Sequence, residues 1–441
     1  MIPKPGKSEK RPLGVGSPRD KIIQKALSVI LEAIWEKEFL DSSDGFRPGK
    51  SLHQALYKLH RNGSQYQWVI QGDISKCFDQ IPHQIIRELI EKKVQCQKTL
   101  QLINKSLSAG YIDPETNEHL TPPIGTPQGS VLSPLLSNIV LHELDLFMDK
   151  VSNKFTQGIS RAKNPEYSSL QSRIQWLQKS KPGSPEIKEL VKQRRKLPSS
   201  MATDPGYKRL MYVRYADDFL ILIAGSKNDA ELIKNWVKSA LIKKCGLSLN
   251  EEKTIISNTK DGFKFLGADC IKPNSLKSGY FVKTKSGTRG RYRMRMRILV
   301  PMKDLIQKLI TNKFVKNNAK GLPVPTARRD LTNLSHHEIL NFYNHRIQGI
   351  LNFYSFAGNY SKLSGILYLL KFSCALTLAL KHKLRTKRAT FIKFGKYLTD
   401  PETSHSLKYP SSLKVKHEYS GYKKKKTSET LPCADKVLDG S

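Results

Sequence analysis

"YVRYADDFLILI" (212–223) sets two adjacent aspartates, Asp217 and Asp218, into an otherwise apolar, β-prone run. Burying or half-burying a carboxylate is costly unless something compensates its charge. Strand-like residues on both sides predict a hairpin with Asp217–Asp218 at its tip. Successive strand side chains point to opposite faces, so the two acids take different positions unless the turn twists them. A third acid follows a strand in the same manner: in "VIQGDISKCFDQIPH" (69–83), Asp73 ends the apolar run. A divalent cation would stabilise a cluster of Asp73, Asp217 and Asp218, and hard oxygen ligands suit Mg²⁺. Two such ions, about 4 Å apart, can clamp the attacking and leaving oxygens of a phosphoryl transfer.

The charge of the chain points the same way. Among 441 residues, 75 Lys and Arg oppose 38 Asp and Glu, a net charge of +37. A surplus that large implies a polyanionic partner, nucleic acid ahead of an anionic membrane surface. The length implies two or more domains. Cys77, Cys96, Cys245, Cys270, Cys374 and Cys433 include no C-x-x-C pair, which argues against a zinc ribbon or a disulfide framework and for a reducing compartment. The most apolar stretch, "GILYLLKFSCALTLALK" (365–381), is interrupted by Lys371 and reads as a buried helix rather than a membrane span. Neither a secretory signal nor a cleavable organellar peptide is recognisable at the start, so a protein working in an organelle would be made there.

Periodicity places the main elements. "YQWVI" (66–70) reads as a strand, and "PHQIIRELIEKKV" (82–94) as a helix. "SPLLSNIVLHELDLFMDKV" (133–151) predicts a helix with Ser133 as N-cap, Pro134 in its first turn, and Leu135, Leu136, Ile139 and Leu146 buried. Residues 152–210 turn polar and basic and read as a surface insertion with one helix at 185–197. In "DAELIKNWVKSALIKKCG" (229–246), Leu232, Trp236, Val237, Ala240 and Leu241 are expected to share the buried face, with Gly246 ending the helix. "RGRYRMRMRIL" (289–299) is expected to form a strand with Arg291, Arg293, Arg295 and Arg297 on one face, a ridge that tracks phosphates. Ser335 and Glu338 form a capping box for a helix whose Ile339, Tyr343, Ile347, Ile350 and Tyr354 face a core. "KHKLRTKRATFIKFGK" (381–396) adds a second basic surface, with Lys381, Lys383 and Arg385 as RNA-contact candidates. The tail, 401–441, lacks periodicity and predicts disorder.

Read in order, "GDISKCFD" (72–79), "GTPQGSVLSPLLSNIVL" (125–141), "YADD" (215–218), "LSLNEEKT" (247–254) and "FKFLG" (263–267) resemble the palm of reverse transcriptases. "IPKPGKSEKRPLGVGSPRDKIIQ" (2–24) and "DGFRPGKS" (44–51) resemble the fingers, and "YKRLMYVRYADDFLI" (207–221) resembles the mitochondrial-like lineage encoded within group II introns. Residues 335–384 resemble the thumb and maturase region, domain X, of the same proteins. The resemblance implies an α+β right-hand polymerase followed by an α-helical domain: fingers and first part of the palm at 1–151, the insertion at 152–210, the rest of the palm at 211–270, and thumb/maturase at 271–400.

The resemblance also implies residue roles. Asp73 and Asp217 would be the principal ligands of two Mg²⁺ ions, with Asp218 the third carboxylate and the Ile74 carbonyl facing the metal. Phe78 would stand where an aromatic gate crowds a 2′-hydroxyl. Gln128 would help fix the templating pair. Lys4 and Arg11 would grip the triphosphate, and Lys253 would neutralise or protonate the leaving pyrophosphate. Arg346, Asn352 and Asn359 are candidates for RNA contact. The implied partners are group II intron RNA, an RNA template with a DNA primer, and dNTPs, without a membrane; a homodimer is left open.

The leading expectation is a protein that helps its intron splice and copies RNA into DNA. The alternative is a splicing-only maturase with a vestigial polymerase. Domain X argues against a retron or diversity-generating enzyme, and no further acidic domain after residue 400 supports a viral type with RNase H. Relatives' HNH endonuclease motifs and their N-terminal extension are not recognisable here. The lineage implies an organelle-encoded mitochondrial protein, with plastid and bacterial cytoplasm behind.

Overall fold

The computed structural model describes residues 14–112, 118–121, 124–126, 129–201, 204–273, 295–410 and 413, and the backbone alone at 2–3, 10–11, 281–283 and 289–291. The chain forms two compact units, one of residues 1–266 and 271–296, the other of 267–270 and 297–441.

The first unit is built on a four-stranded antiparallel sheet: β1 (Trp68–Asp73), β2 (Arg209–Tyr215), β3 (Asp218–Ala224) and β4 (Ile255–Asn258), in the order β2-β3-β1-β4. Every residue of β3 from Phe219 to Ala224 is buried, which explains a continuous apolar run where a half-exposed strand would alternate. Phe219, Ile221 and Ile223 join the core beneath the helices Ser133–Phe155 and Lys227–Ala240. Leu222 points the other way, toward Gly63 at the end of the Leu52–Asn62 helix. Sandwiched between two layers, the sheet is a rigid floor for whatever stands at its strand ends.

Two helix readings need correction. The Ser133–Phe155 helix is buried almost all round, with Leu146 only half-buried, and Ser133 is already its first residue, after Leu132. The Lys227–Ala240 helix, capped by a reciprocal Ser226–Asp229 box, buries Ala230, Ile233, Val237 and Ala240, while Leu232 and Trp236 stay 53% and 47% exposed. Small alanines let that face approach the sheet closely, and the bulky pair is turned outward. Gly246 does end this helix, at φ 64 after a closing π turn over Leu241–Cys245.

The polar segment after residue 152 holds two helices rather than one, Pro165–Ser180 and Pro185–Lys196, packed through Ile174, Leu177 and Leu190. Its neck is closed where Gln157 and Lys208 exchange both backbone hydrogen bonds, at 3.0 and 3.1 Å. The expected arginine ridge is not one strand. Short strands occupy Arg289–Arg291 and Arg297–Leu299. Between them Met296 is fully buried against Gly63, its N–H bonded to the His60 carbonyl and its carbonyl to the His60 ring. That anchoring consumes the backbone groups a continuous ladder would need.

The second unit is helical: Met302–Thr311, His336–Phe353, Leu363–Lys381 and Lys387–Phe394, with a short hairpin of Val315–Asn317 and Pro323–Pro325. The Ser335–Glu338 capping box is present, and Ile339, Tyr343, Ile347 and Tyr354 are buried. The buried Tyr343 hydroxyl is satisfied by Ser373 and Thr377 on the Leu363–Lys381 helix, at 2.9 and 3.0 Å. By length and composition Tyr360–Lys381 could cross a membrane, but 61% of that window is buried inside the protein, as a core helix would be. The expected disordered tail begins too early at 401. Leu407 is 1% exposed, and Asn344 pins Ser406 and Lys408 through their backbones. Residues 414–441 lie outside the described residues.

Candidate active site

The hairpin forms as the pattern predicts. Tyr215 pairs with Asp218, leaving Ala216 and Asp217 as a two-residue turn, with Ala216 at φ 57. That left-handed conformation is disfavoured for a residue with a Cβ and persists only when its surroundings hold it. On the other side of β3, Asp73 is the direct cross-strand partner of Asp218. The sheet register therefore brings together Asp73 and Asp218, with Asp217 one residue away in the turn. Gly72 lies beneath the Phe219 ring, where a Cβ would overlap it, so the next cross-strand pair is locked as well.

Asp218 retains exposed surface, yet its carboxyl is pushed up to about 6, by burial and by the Asp217 and Asp73 charges, with Lys253 opposing. Lys253 places Nζ 2.6 Å from Asp73 Oδ2, and that hydrogen bond holds the ammonium above its ordinary range. A cavity beside these groups is lined by Gly72, Asp73, Asp218, Lys253, Lys264 and Phe265.

Among the described residues, no three carboxylate, imidazole or thiol groups form a ready-made metal cage. The donor chemistry nevertheless fits Mg²⁺: three hard carboxylates are gathered at one sheet end, and a cation would relieve the repulsion that raises Asp218. Cys77, close enough to sense Asp217, is no competing soft ligand, because burial pushes its thiol up to about 12. Ile74 follows Asp73 with its side chain buried, bridging Leu249. The two hydrogen bonds of that bridge run through Asp73 and Ser75, so the Ile74 carbonyl takes no part in it.

Phe78 is half-buried and meets Phe46 edge-to-face, ring centroids 6.3 Å apart. Phe46, 54% exposed at φ 55, was missed in the sequence, where nothing marks it as the partner of a residue 32 positions on. Lys4 and Gln128 lie outside the described residues, and Arg11 is described only by its backbone pairing with Ile2. Of the ridge arginines, Arg295 and Arg297 are exposed, Arg291 is described by backbone alone, and Arg293 lies outside the described residues.

In the helical unit Arg346 is exposed, its guanidinium 5.2 Å from the Phe342 ring centroid. Arg328, which no motif or periodicity singles out, lies over both Phe314 and Phe342. Lys383 and Arg385 are exposed, whereas Lys381 reaches the Thr332 carbonyl at 3.4 Å. Asn352 is exposed and accepts from Gln348. Asn359 is a correction: its amide clasps both backbone groups of Val300, at 2.7 and 3.2 Å, and is committed to packing rather than to a ligand.

The sequence matches the family described as Reverse transcriptase (RNA-dependent DNA polymerase) over residues 2–162 and 183–270, more than half the chain. The chain belongs to that family. Residues 293–433 match Type II intron maturase, so it combines the two modules of group II intron-encoded proteins. The "Putative COX1/OXI3 intron 1 protein" of Saccharomyces cerevisiae is 39% identical over 89% of this chain and 47% of the yeast protein. The "Group II intron-encoded protein LtrA" of Lactococcus lactis subsp. cremoris is 37% identical over 87% of this chain and 64% of the bacterial protein. The chain thus spans about half the length of the first relative and just under two thirds of the second. Among solved structures, a telomerase from Candida albicans aligns with a TM-score of 0.35 and 13% identity, over 86% of this chain and 56% of that one. A likeness that low carries no statement about this chain.

Proposed function

We propose that this chain copies RNA into DNA and binds group II intron RNA to assist its splicing. The observation that carries the polymerase half is the direct pairing of Asp73 with Asp218 beside a turn that presents Asp217. Asp73 and Asp217, with Asp218 and the Ile74 carbonyl beside them, would hold two Mg²⁺ ions. When bound, such ions stabilise charge on the attacking and leaving oxygens of nucleotidyl transfer. Phe78, backed by Phe46, would limit space at the sugar of the incoming dNTP, and Lys253 would answer charge on the leaving pyrophosphate. Lys4, Arg11 and Gln128 are proposed nucleotide contacts on the resemblance alone.

In this reading the first unit carries fingers and palm and the second carries thumb and maturase. The exposed Arg295, Arg297, Arg346, Lys383 and Arg385, in a chain of net charge +37, suit a structured RNA recognised through its phosphates. Likeness to a yeast intron protein supports a mitochondrial setting, and the bacterial relative keeps a bacterial one in view.

The test is primer extension on an RNA template with Mg²⁺, comparing the chain with an Asp217→Asn, Asp218→Asn double variant. Extension abolished in the variant, with salt-sensitive RNA binding intact, supports the polymerase. No extension by either, with RNA binding retained by both, replaces it with a splicing-only maturase.

A further inference from the structure

The side chain of Arg214, between the two tyrosines of "YVRYADD", is completely buried, and so is that of Asp145 on the Ser133–Phe155 helix. Arg214 donates to both Asp145 oxygens, from Nε at 2.8 Å and from Nη2 at 2.6 Å, and the Tyr212 hydroxyl donates to Oδ1 of the same carboxylate at 3.0 Å. Burial opposes the guanidinium's charge, but Asp145 outweighs it and holds the group ionised. The remaining nitrogen, Nη1, donates to Asn138 Oδ1 and to the Ala216 carbonyl, each at 3.0 Å.

The Ala216 carbonyl belongs to the peptide that carries the Asp217 nitrogen. Its position therefore fixes the direction in which Asp217 leaves the turn. The same turn is gripped from outside. Asn138 Nδ2 donates to the Gly45 carbonyl at 2.8 Å, and a Cβ at Gly45 would overlap the Ala216 nitrogen. The segment before Gly45 bonds to both backbone groups of Arg214, through Ser42 and Asp44, at 2.8 and 2.9 Å. A turn with a left-handed alanine would relax if released, and here three fixtures meet on it.

We propose that Arg214 is a positioning residue: paired with Asp145 and shared with Asn138, it anchors the Ala216 carbonyl and thereby aims Asp217 at the metal site. This rests on the reading of Asp73, Asp217 and Asp218 as metal ligands. Asp145 cancels the charge that would otherwise attract the carboxylates to Arg214 itself. A planar five-donor fork is required, because the group must hold a carboxylate side-on and still reach two further oxygens. Lysine cannot do both.

The test measures Mn²⁺ binding to the intact chain from the electron paramagnetic resonance of the free ion, which needs no catalysis. It compares the wild type with Arg214→Lys, Asn138→Ala and, as the ligand control, Asp217→Asn. Melting temperature and primer-extension kinetics are measured alongside. Asn138→Ala keeps the Arg214–Asp145 pair, so it remains informative if Arg214→Lys does not fold. The expected result is Mn²⁺ affinity weakened about tenfold in Arg214→Lys and Asn138→Ala, with kcat lowered and primer–template binding unchanged. Lowered melting temperatures with wild-type Mn²⁺ affinity and kcat would overturn the proposal, leaving a purely structural pair. Wild-type binding indifferent to Asp217→Asn would instead overturn the metal reading, and this proposal with it.

Discussion

Lys253 and Asp73 are joined at 2.6 Å across a stretch of chain in which β2 and β3 are laid down. The ammonium sits among the acid cluster, and Asp218 and Asp217 also contribute to retaining its proton. A divalent ion bound to Asp73 would therefore share its ligand with a charged lysine or displace it.

Replacing Lys253 with methionine removes that internal counter-charge. The expected loss of stability in EDTA is small, on the order of 0.5 kcal/mol, because the Lys253 end of the pair is largely solvent-exposed. The informative quantity is the gain on adding Mg²⁺, which is expected to be larger in Lys253→Met than in the wild type, since Asp73 then faces the ion without its ammonium partner. Calorimetric melting of both chains with EDTA and with Mg²⁺ measures it. Equal gains would mean that Lys253 does not compete with metal.

The cross-strand pair next to the aspartates gives a packing test. A Cβ at Gly72 would enter the Phe219 ring, so Gly72→Ala is expected to cost about 1–3 kcal/mol by overpacking. Trimming the ring with Phe219→Leu makes the space, so the double variant is expected to be more stable than the sum of the two losses implies. Urea unfolding of the four members of this cycle reports the coupling. Strict additivity would show that Gly72 is there for another reason.

Among the described residues, the helical hairpin of the insertion has a core of Ile174, Leu177 and Leu190, with partly buried neighbours. Leu190→Ala removes roughly 2–5 kcal/mol, more than so small a module holds in reserve. Because Gln157 and Lys208 close the neck independently, the damage is expected to stay local. Proteolysis should cut within 165–196 while amides of β1 and β3 keep their protection. Loss of sheet protection would show instead that the insertion supports the palm.

The aspartate hairpin was legible because its signal is local: β-prone apolar residues on both sides, two acids at its tip and a second strand ending in an acid. The helix start marked by Ser335 was legible for the same reason, since a capping box is written within four residues. Arg214 was not. In sequence it is one more basic residue in a basic chain, and its meaning depends on Asp145, 69 positions earlier, and Asn138, 76 positions earlier. The buried face of the Lys227–Ala240 helix was misread because bulk was weighted over fit, so Trp236 was preferred to Ala230. The Pro165–Ser180 helix escaped because its apolar positions are too few to announce a periodicity. The arginine ridge failed at Met296, whose burial against Gly63 is visible only in three dimensions.

Two histidines in the helical unit give it an acid sensitivity of known sign. His336 is 6% exposed and bonds the Leu398 carbonyl through Nε2 at 3.0 Å, so its Nε2 carries the proton and its buried Nδ1 has no partner among the described residues. The His382 ring lies tilted beside it, centroids 5.3 Å apart, with its own buried Nε2 unpartnered among the described residues, and Phe394 closes the group. Burial lowers the pKa of both rings. Lys381 adds to the effect on both and Lys393 on His382; Asp400 opposes it on both and Glu402 on His336. An unfolded histidine titrates near about 6.5, so below that pH the unfolded chain binds protons that the folded unit refuses. Stability is thus complete above the unfolded value and falls as pH drops through the lower, folded ones. Hydrogen exchange of the intact chain between pH 7 and pH 5, corrected for intrinsic rates, is expected to show the helices His336–Phe353 and Leu363–Lys381 losing protection. His382→Phe, which removes one titrating ring and an orphaned nitrogen, is expected to flatten that loss. An unchanged slope in the variant would assign the acid sensitivity to the carboxylates instead.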